Sequence, residues 1–269
     1  MQRLTDRSAL ARNRTRATED FLHRRAKDDV EDRLAEVNRA FTRVAVVTGR
    51  PALWRHRPDA TVVGDDETLA LEPGAHDLVI HDMAMHWADD PVGQLVQSRR
   101  ALEPDGMMIA TLFGGQTLTE LRAALAQAES VVTGGLSPRI APMAEIRDLG
   151  GLLQRAGFAL PVADGDTVRT SYPDLPALMR DLRAMGEGNA LADRLRVPTN
   201  PAVLRTAADL YAAHFSDADG RLRATFEIIT LTGWAPSADQ PQPLRPGSAT
   251  TRLADALGTI ENPRDLPSD

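Results

Sequence analysis

The chain has no cysteine. That excludes a disulfide framework, a thiolate metal site and a cysteine nucleophile, and it suits a reducing compartment, so a cytoplasmic location is expected. Long apolar runs are also missing: no stretch approaches the roughly 18 residues that a membrane span needs. Residues 1–20 lack the apolar core of a secretory signal. Their arginines are reminiscent of a transit peptide, but Asp6, Glu19 and Asp20 argue against one. There is no excess of positive charge: 31 Lys and Arg stand against 38 Asp and Glu, a net charge of −7 that gives no long-range attraction for nucleic acid or anionic membranes. No internal repeat is found. What remains is a globular composition, 42% hydrophobic and 26% charged over 269 residues, enough for one core with embellishments.

Between Thr18 and Phe41, Leu22, Ala26, Val30, Leu34, Val37 and Phe41 recur at helical spacing and predict an amphipathic helix. Val44–Thr48, 77–81 and 107–112 are short continuous apolar runs, the pattern of strands buried on both faces of a parallel sheet, and 61–63 is a weaker candidate. Asp90-Pro91 opens a helix as N-cap and first-turn proline, and Glu103-Pro-Asp-Gly106 predicts a turn before the next strand. Thr117-Leu-Thr-Glu120 reads as a capping box. A helix from about Met143 stops at Gly157, a strand starts at Phe158, helices are expected at 175–185 and 201–214, and the last strand lies within 225–232. From Pro236 onward proline, serine and aspartate punctuate the chain, with a helical pattern only at 251–257.

Four motifs taken in order resemble class I S-adenosylmethionine-dependent methyltransferases. They are Gly64-Asp-Asp-Glu-Thr-Leu-Ala-Leu71, the strand and following turn His76-Asp-Leu-Val-Ile-His-Asp-Met-Ala-Met-His-Trp87, Arg100-Ala-Leu-Glu-Pro-Asp-Gly106, and Leu152-Leu-Gln-Arg-Ala-Gly-Phe158. Phe113-Gly-Gly-Gln-Thr-Leu-Thr-Glu-Leu-Arg122, Gly134-Gly-Leu-Ser-Pro-Arg139 and 178–189 are similar to the branch of respiratory complex I assembly factor 5, beside the malonyl-carrier-protein methyltransferases of biotin synthesis. The resemblance implies a Rossmann-like α/β fold. Its sheet is mostly parallel with a C-terminal antiparallel strand, preceded by an N-terminal helix and carrying a helical insertion at about 174–215. The expected domain spans 18–234, between a flexible start (1–17) and a loosely ordered tail (235–269).

One segment departs from the family. Where strand one should end in Asp-x-Gly-x-Gly-x-Gly, whose missing side chains let backbone amides approach the cofactor, this chain has Val46-Val-Thr-Gly-Arg-Pro51. Arg50 and Pro51 add bulk and remove a donor. About half the usual interval separates this loop from Asp65, so the fold is expected to be abbreviated at strand two, whose terminal acid would grip the cofactor ribose.

The resemblance implies S-adenosylmethionine contacts at Thr48, Gly49, Asp65, Asp66 and His81, and substrate contacts at Trp87, Arg139 and Glu187. A lone glycine and an acidic turn are equally ordinary surface features. Asp82 and His86 lie past the strand whose end lines the pocket in this fold, where a histidine and a carboxylate could relay a proton from a nucleophile; packing under the next helix is the competing reading. Two histidines five residues apart with one aspartate lack a metal-ligand pattern, and no metal is expected. Two readings stay open: a methyltransferase-like protein tied to complex I assembly, with a complex I subunit as partner or protein substrate, and a non-catalytic scaffold that keeps the fold.

Overall fold

A computed structural model describes residues 3–240 of the chain. The chain divides into two compact units, 1–237 and 238–269. In the second, the described residues 238–240 belong to a turn and bend; the expected tail and the helical pattern at 251–257 otherwise lie outside the described residues.

The first unit runs α1 (Arg7–Thr15), α2 (Phe21–Glu36), β1 (Val44–Thr48), β2 (Thr61–Val63), β3 (His76–Asp82), α3 (Pro91–Ala101), β4 (Leu102–Phe113), α4 (Thr119–Thr133), α5 (Ile146–Arg155), β5 (Ala159–Tyr172), α6 (Leu175–Ala184), α7 (Pro201–Phe215) and β6 (Leu222–Trp234). One sheet has the order β2-β1-β3-β4-β6-β5. Strands β1 to β4 pair in parallel, and β6 inserts antiparallel between β4 and β5. This is the expected mixed sheet, and a last strand returning antiparallel is what the resemblance implied.

The continuous apolar runs are explained by two covered faces. Successive strand residues point to opposite sides: Ala45, Val47, Val79 and Met108 pack with Leu95 of α3 and Leu149 and Leu153 of α5, whereas Val44, Val46, Ile80 and Ile109 pack with Val30 and Leu34 of α2 and with Trp54. Helices α4, α6 and α7 gather with β6 around Leu121, Leu178, Tyr211 and Phe226 in a further cluster.

The abbreviation at strand two is visible. Strand β2 pairs directly with β1, Ala45 with Thr61 and Val47 with Val63. The chain between them holds one 3-10 turn, Pro51–Trp54, in place of the α-helix that usually connects parallel neighbours.

Several boundaries differ from the sequence reading. The first 17 residues, expected to be flexible, contain α1, whose Leu10 is 1% exposed. Strand β4 starts at Leu102 and runs through the expected turn, with Asp105 at φ 62° inside it. The capping box does not form: α4 begins after Leu118, Thr117 is hydrogen-bonded to Glu227 of β6, and Glu120 accepts from the N–H and hydroxyl of Thr225. Tertiary partners on β6 claim both side chains that the local motif would have used.

The start of the sheet is held by Asp77. Its carboxylate accepts from the Thr42 N–H at 2.8 Å, the Thr42 hydroxyl at 3.0 Å and the Arg43 N–H at 2.9 Å. Burial alone would raise its pKa, but those donors outweigh it and hold the carboxyl below its usual range. Asp77→Ala is expected to lower stability by about 2–3 kcal/mol, read as a lower urea midpoint with an unchanged m-value.

Candidate functional site

Ligands of open parallel sheets bind beyond the carboxyl ends of the strands. Two hollows lie there. The first is a groove of about 520 Å³ between α1 and the ends of β1 and β2, lined by Thr48, Gly49, Pro51, Gly64, Asp65 and Asp66 together with Arg7 and Arg14. The second is a cavity of about 380 Å³ with walls that include Trp87, Phe113, Leu118, Met179, Met185 and Phe226, and with Glu187, Asn189 and Arg139 among its polar groups.

In the groove the expected residues do come together. Asp65, at the end of β2, is only 4% exposed, and its partners come from α1. Arg14 grips its two carboxylate oxygens with two N–H groups, at 2.7 and 3.1 Å, and Arg7 reaches one of them at 3.2 Å and the Asp65 carbonyl at 2.8 Å. Burial pushes the Asp65 pKa up, but the two guanidinium groups overcome this and bring it down to about 2. Asp66 points out, its side chain 80% exposed.

The glycine loop is filled. A Cβ on Gly49 would collide with the Arg14 guanidinium. From the next position, Arg50 runs into the protein and donates to the carbonyl of Met185; burial lowers its pKa. Gly186 is the neighbour that makes room: a Cβ there would come within 3.1 Å of the Arg50 guanidinium and 3.3 Å of the Arg14 Cα, and its φ of 73° is one that only glycine adopts freely.

Asp82 and His81 are buried beneath this floor, and neither lines either hollow. Asp82 accepts from the Thr48 hydroxyl at 2.9 Å and the Trp54 indole at 2.7 Å, and burial raises its pKa. His81 is fully buried and donates through Nε2 to Gln94 at 2.7 Å; burial lowers its pKa and keeps it neutral. Gln94 in turn donates to the carbonyls of Asp65 and Asp66, so His81 positions that turn from below. The expected proton relay between Asp82 and His86 is therefore not assembled: these two residues serve different environments.

His86 is buried behind the wall of the cavity instead, against Phe113 and Glu187. Its Nδ1 accepts from the Phe113 N–H at 3.5 Å, which places the ring proton on Nε2, 3.5 Å from Glu187. Glu187 also accepts from the Trp87 indole at 2.9 Å and faces His23 Nε2 at 3.1 Å. Burial would raise the Glu187 pKa, but the histidines facing it hold it well below the usual carboxylate range. A carboxylate has about four acceptor positions. Three donors leave one toward the cavity.

Arg139 is at the rim, bound to Glu129 at 2.7 Å and to Thr199 at 2.9 Å; its guanidinium, more than any other group, lowers the Glu129 pKa, to about 2. It fastens its own loop to α4 and to the loop before α7. Sequence reasoning missed Arg7, Arg14 and His23. The first two lay in a segment read as flexible; His23 sits beside Leu22 on the buried side of α2 at 2% exposure, and a histidine adjoining an apolar stripe was the available signal. Among the described residues, no group of three or more His, Asp or Glu is arranged to hold a metal ion, and no helix is long and apolar enough to cross a membrane.

The chain is similar in sequence to several known proteins. A family described as a methyltransferase domain matches residues 27–110. The arginine-hydroxylase NDUFAF5, mitochondrial, of Homo sapiens is 38% identical over 205 residues, covering 76% of this chain and 59% of that protein; its Danio rerio counterpart is 39% identical over 198 residues, covering 74% and 61%. The malonyl-[acyl-carrier protein] O-methyltransferase of Xylella fastidiosa (strain M23) is 35% identical over 182 residues, covering 68% and 59%. The chain thus spans about three-fifths of the length of these relatives. Among solved structures, the YcgJ protein of Bacillus subtilis aligns with a TM-score of 0.47 and 12% identity, covering 78% of this chain and 98% of that one.

Proposed function

Given that the chain belongs to the class I methyltransferase superfamily, we propose that it works in the assembly-factor branch as a binding protein for an arginine-bearing segment of a respiratory complex I subunit, taken up by the cavity in front of Glu187. The observation that carries this reading is the buried carboxylate itself. A carboxylate in the wall of a largely apolar and aromatic cavity, where Arg139 and Arg194 are already paired with Glu129 and Asp6, and with one acceptor position left, suits a cation on an apolar stem, and a guanidinium can also stack on Trp87 or Phe113. The branch supports the choice of arginine, since the relatives named NDUFAF5 are called arginine hydroxylases.

The reading assigns no methyl transfer. S-adenosylmethionine needs a bare glycine loop and carboxylates free to accept from its ribose and adenine; here Arg14 and Arg50 fill the loop, and Asp65, the residue that resembles the adenine contact, is fully engaged. The residues present do not fit that cofactor, and this favours a pseudoenzyme. We place the protein in the cytoplasm on its cysteine-free composition; the word mitochondrial belongs to the names of its relatives.

The test is calorimetric titration with a short arginine-containing peptide and with the same peptide carrying citrulline, which keeps the shape and loses the charge. Loss of one charge-assisted hydrogen bond is expected to weaken binding about tenfold or more. Glu187→Gln should abolish the difference between the two peptides. Equal affinity of the native protein for both would sink the reading.

A further inference from the structure

We propose that α1 of the same chain is a built-in cover over the ends of β1 and β2, forming one wall of the groove there, with the Arg14 guanidinium standing over the glycine loop where the superfamily places its cofactor. The inference is independent of what the Glu187 cavity binds.

The first support is steric. The space in front of Gly49 is taken by Arg14, and the space between the loop and Gly186 by Arg50 and the Arg14 backbone. The second is electrostatic. Asp65 is the one buried carboxylate lining the groove, and Arg14 meets it with the two-pronged geometry that a guanidinium makes with a carboxylate, while Arg7 adds a second cation. An incoming cofactor would have to break this pair and leave both charges without partners.

The third support is that α1 is fastened along its length. Asp89 accepts from the N–H groups of Leu4 and Thr5 at 2.8 and 2.9 Å, and the Thr5 hydroxyl donates to the Trp87 carbonyl at 2.8 Å. The Asp6 N–H donates to the Ala190 carbonyl at 2.8 Å, and its carboxylate caps the helix through the Ala9 N–H and pairs with Arg194 at 3.0 Å. At the far end, Asn13 donates to the Gly188 carbonyl at 2.9 Å. Trp87, Gly188 and Arg194 all line the cavity. One segment therefore covers the strand ends and braces the wall of the neighbouring cavity, which is why a chain whose connection from β1 to β2 is reduced to a 3-10 turn can keep those ends covered.

The experiment uses the full chain. Hydrogen exchange of residues 7–16 and thermal melting are followed for the native protein, for Arg14→Ala and for Arg14→Lys, each with and without millimolar S-adenosylmethionine. The native protein is expected to show no ligand-induced rise in Tm and unchanged protection of 7–16. Arg14→Ala should speed exchange in 7–16 at least tenfold, leave β3 and β4 protected, and lower Tm by roughly 5 °C or more. Arg14→Lys, which keeps charge without the fork, should fall between the two. If Arg14→Ala does not fold, Arg14→Lys and the native protein decide. Micromolar binding of S-adenosylmethionine to the native protein, or exchange in 7–16 indifferent to both substitutions, overturns the proposal.

Discussion

Asp65→Ala is expected to lower stability by about 3–5 kcal/mol, the range for removing one partner of a buried ion pair. The effect is large because the substitution strands a mostly buried cation. Arg14, whose side chain is 13% exposed, would stay over Gly49 with nothing to balance it, while Arg7 would keep Asp66 at 3.7 Å and the backbone carbonyl of residue 65. For a domain of this size the loss corresponds to a Tm fall of roughly 10 °C. Asp65→Asn should cost less, since the amide oxygen still accepts from one guanidinium. Acid supplies an independent check. The carboxyl titrates at about 2 in the folded chain against 3.8 for an unperturbed aspartate. A depressed folded pKa stabilises above the unfolded value and is lost as pH falls toward the folded one. Between pH 5 and 2 the native protein should therefore lose about 2 kcal/mol through this group alone, and the Asp65→Ala protein should lack that component. Urea unfolding at a series of pH values measures both; parallel curves for the two proteins would show that the pair contributes nothing.

The sheet was legible in the sequence because burial on both faces writes itself as unbroken apolar runs. Val44–Thr48 matches β1 residue for residue, and 77–81 falls within β3. The groove was legible only in its anomaly. A glycine motif reduced to Gly49 and a short interval before Asp65 announced that a strand and a helix were curtailed, and β2 pairs directly with β1. What fills the gap could not be read, because Arg7 and Arg14 are contributed by a helix with a weak apolar pattern: Ala9 and Leu10 alone are buried among its nine residues. A helix held by ion pairs and backbone hydrogen bonds to distant loops leaves no periodicity to find. The capping box failed for the related reason that β6 offered Thr117 and Glu120 better partners than the helix did. Likewise His86 and Asp82, four residues apart in sequence, diverge because β3 ends between them: Asp82 is the last strand residue, and His86 lies in the 3-10 turn that follows.

Glu187→Ala is the other substitution expected to be severe, at about 3–5 kcal/mol. Three side chains from two separate parts of the chain converge on this carboxylate: His23 from α2, and His86 and Trp87 from the turn after β3. Removing it leaves buried N–H donors without an acceptor, and the loop after α6 loses its links to α2 and to the turn after β3. Glu187→Gln should be milder, because its carbonyl oxygen keeps one or two donors while its amide must face another N–H. The pH dependence separates this from general loosening. Because the folded carboxyl titrates well below the usual 4.5, its stabilisation is full above that value and disappears only as pH falls toward the folded pKa. Glu187→Ala should therefore melt lower at pH 7 by roughly 10 °C and approach the native protein only in strong acid. A native protein that loses the whole difference already near pH 6 would mean that the carboxylate is not the group on which His23, His86 and Trp87 depend.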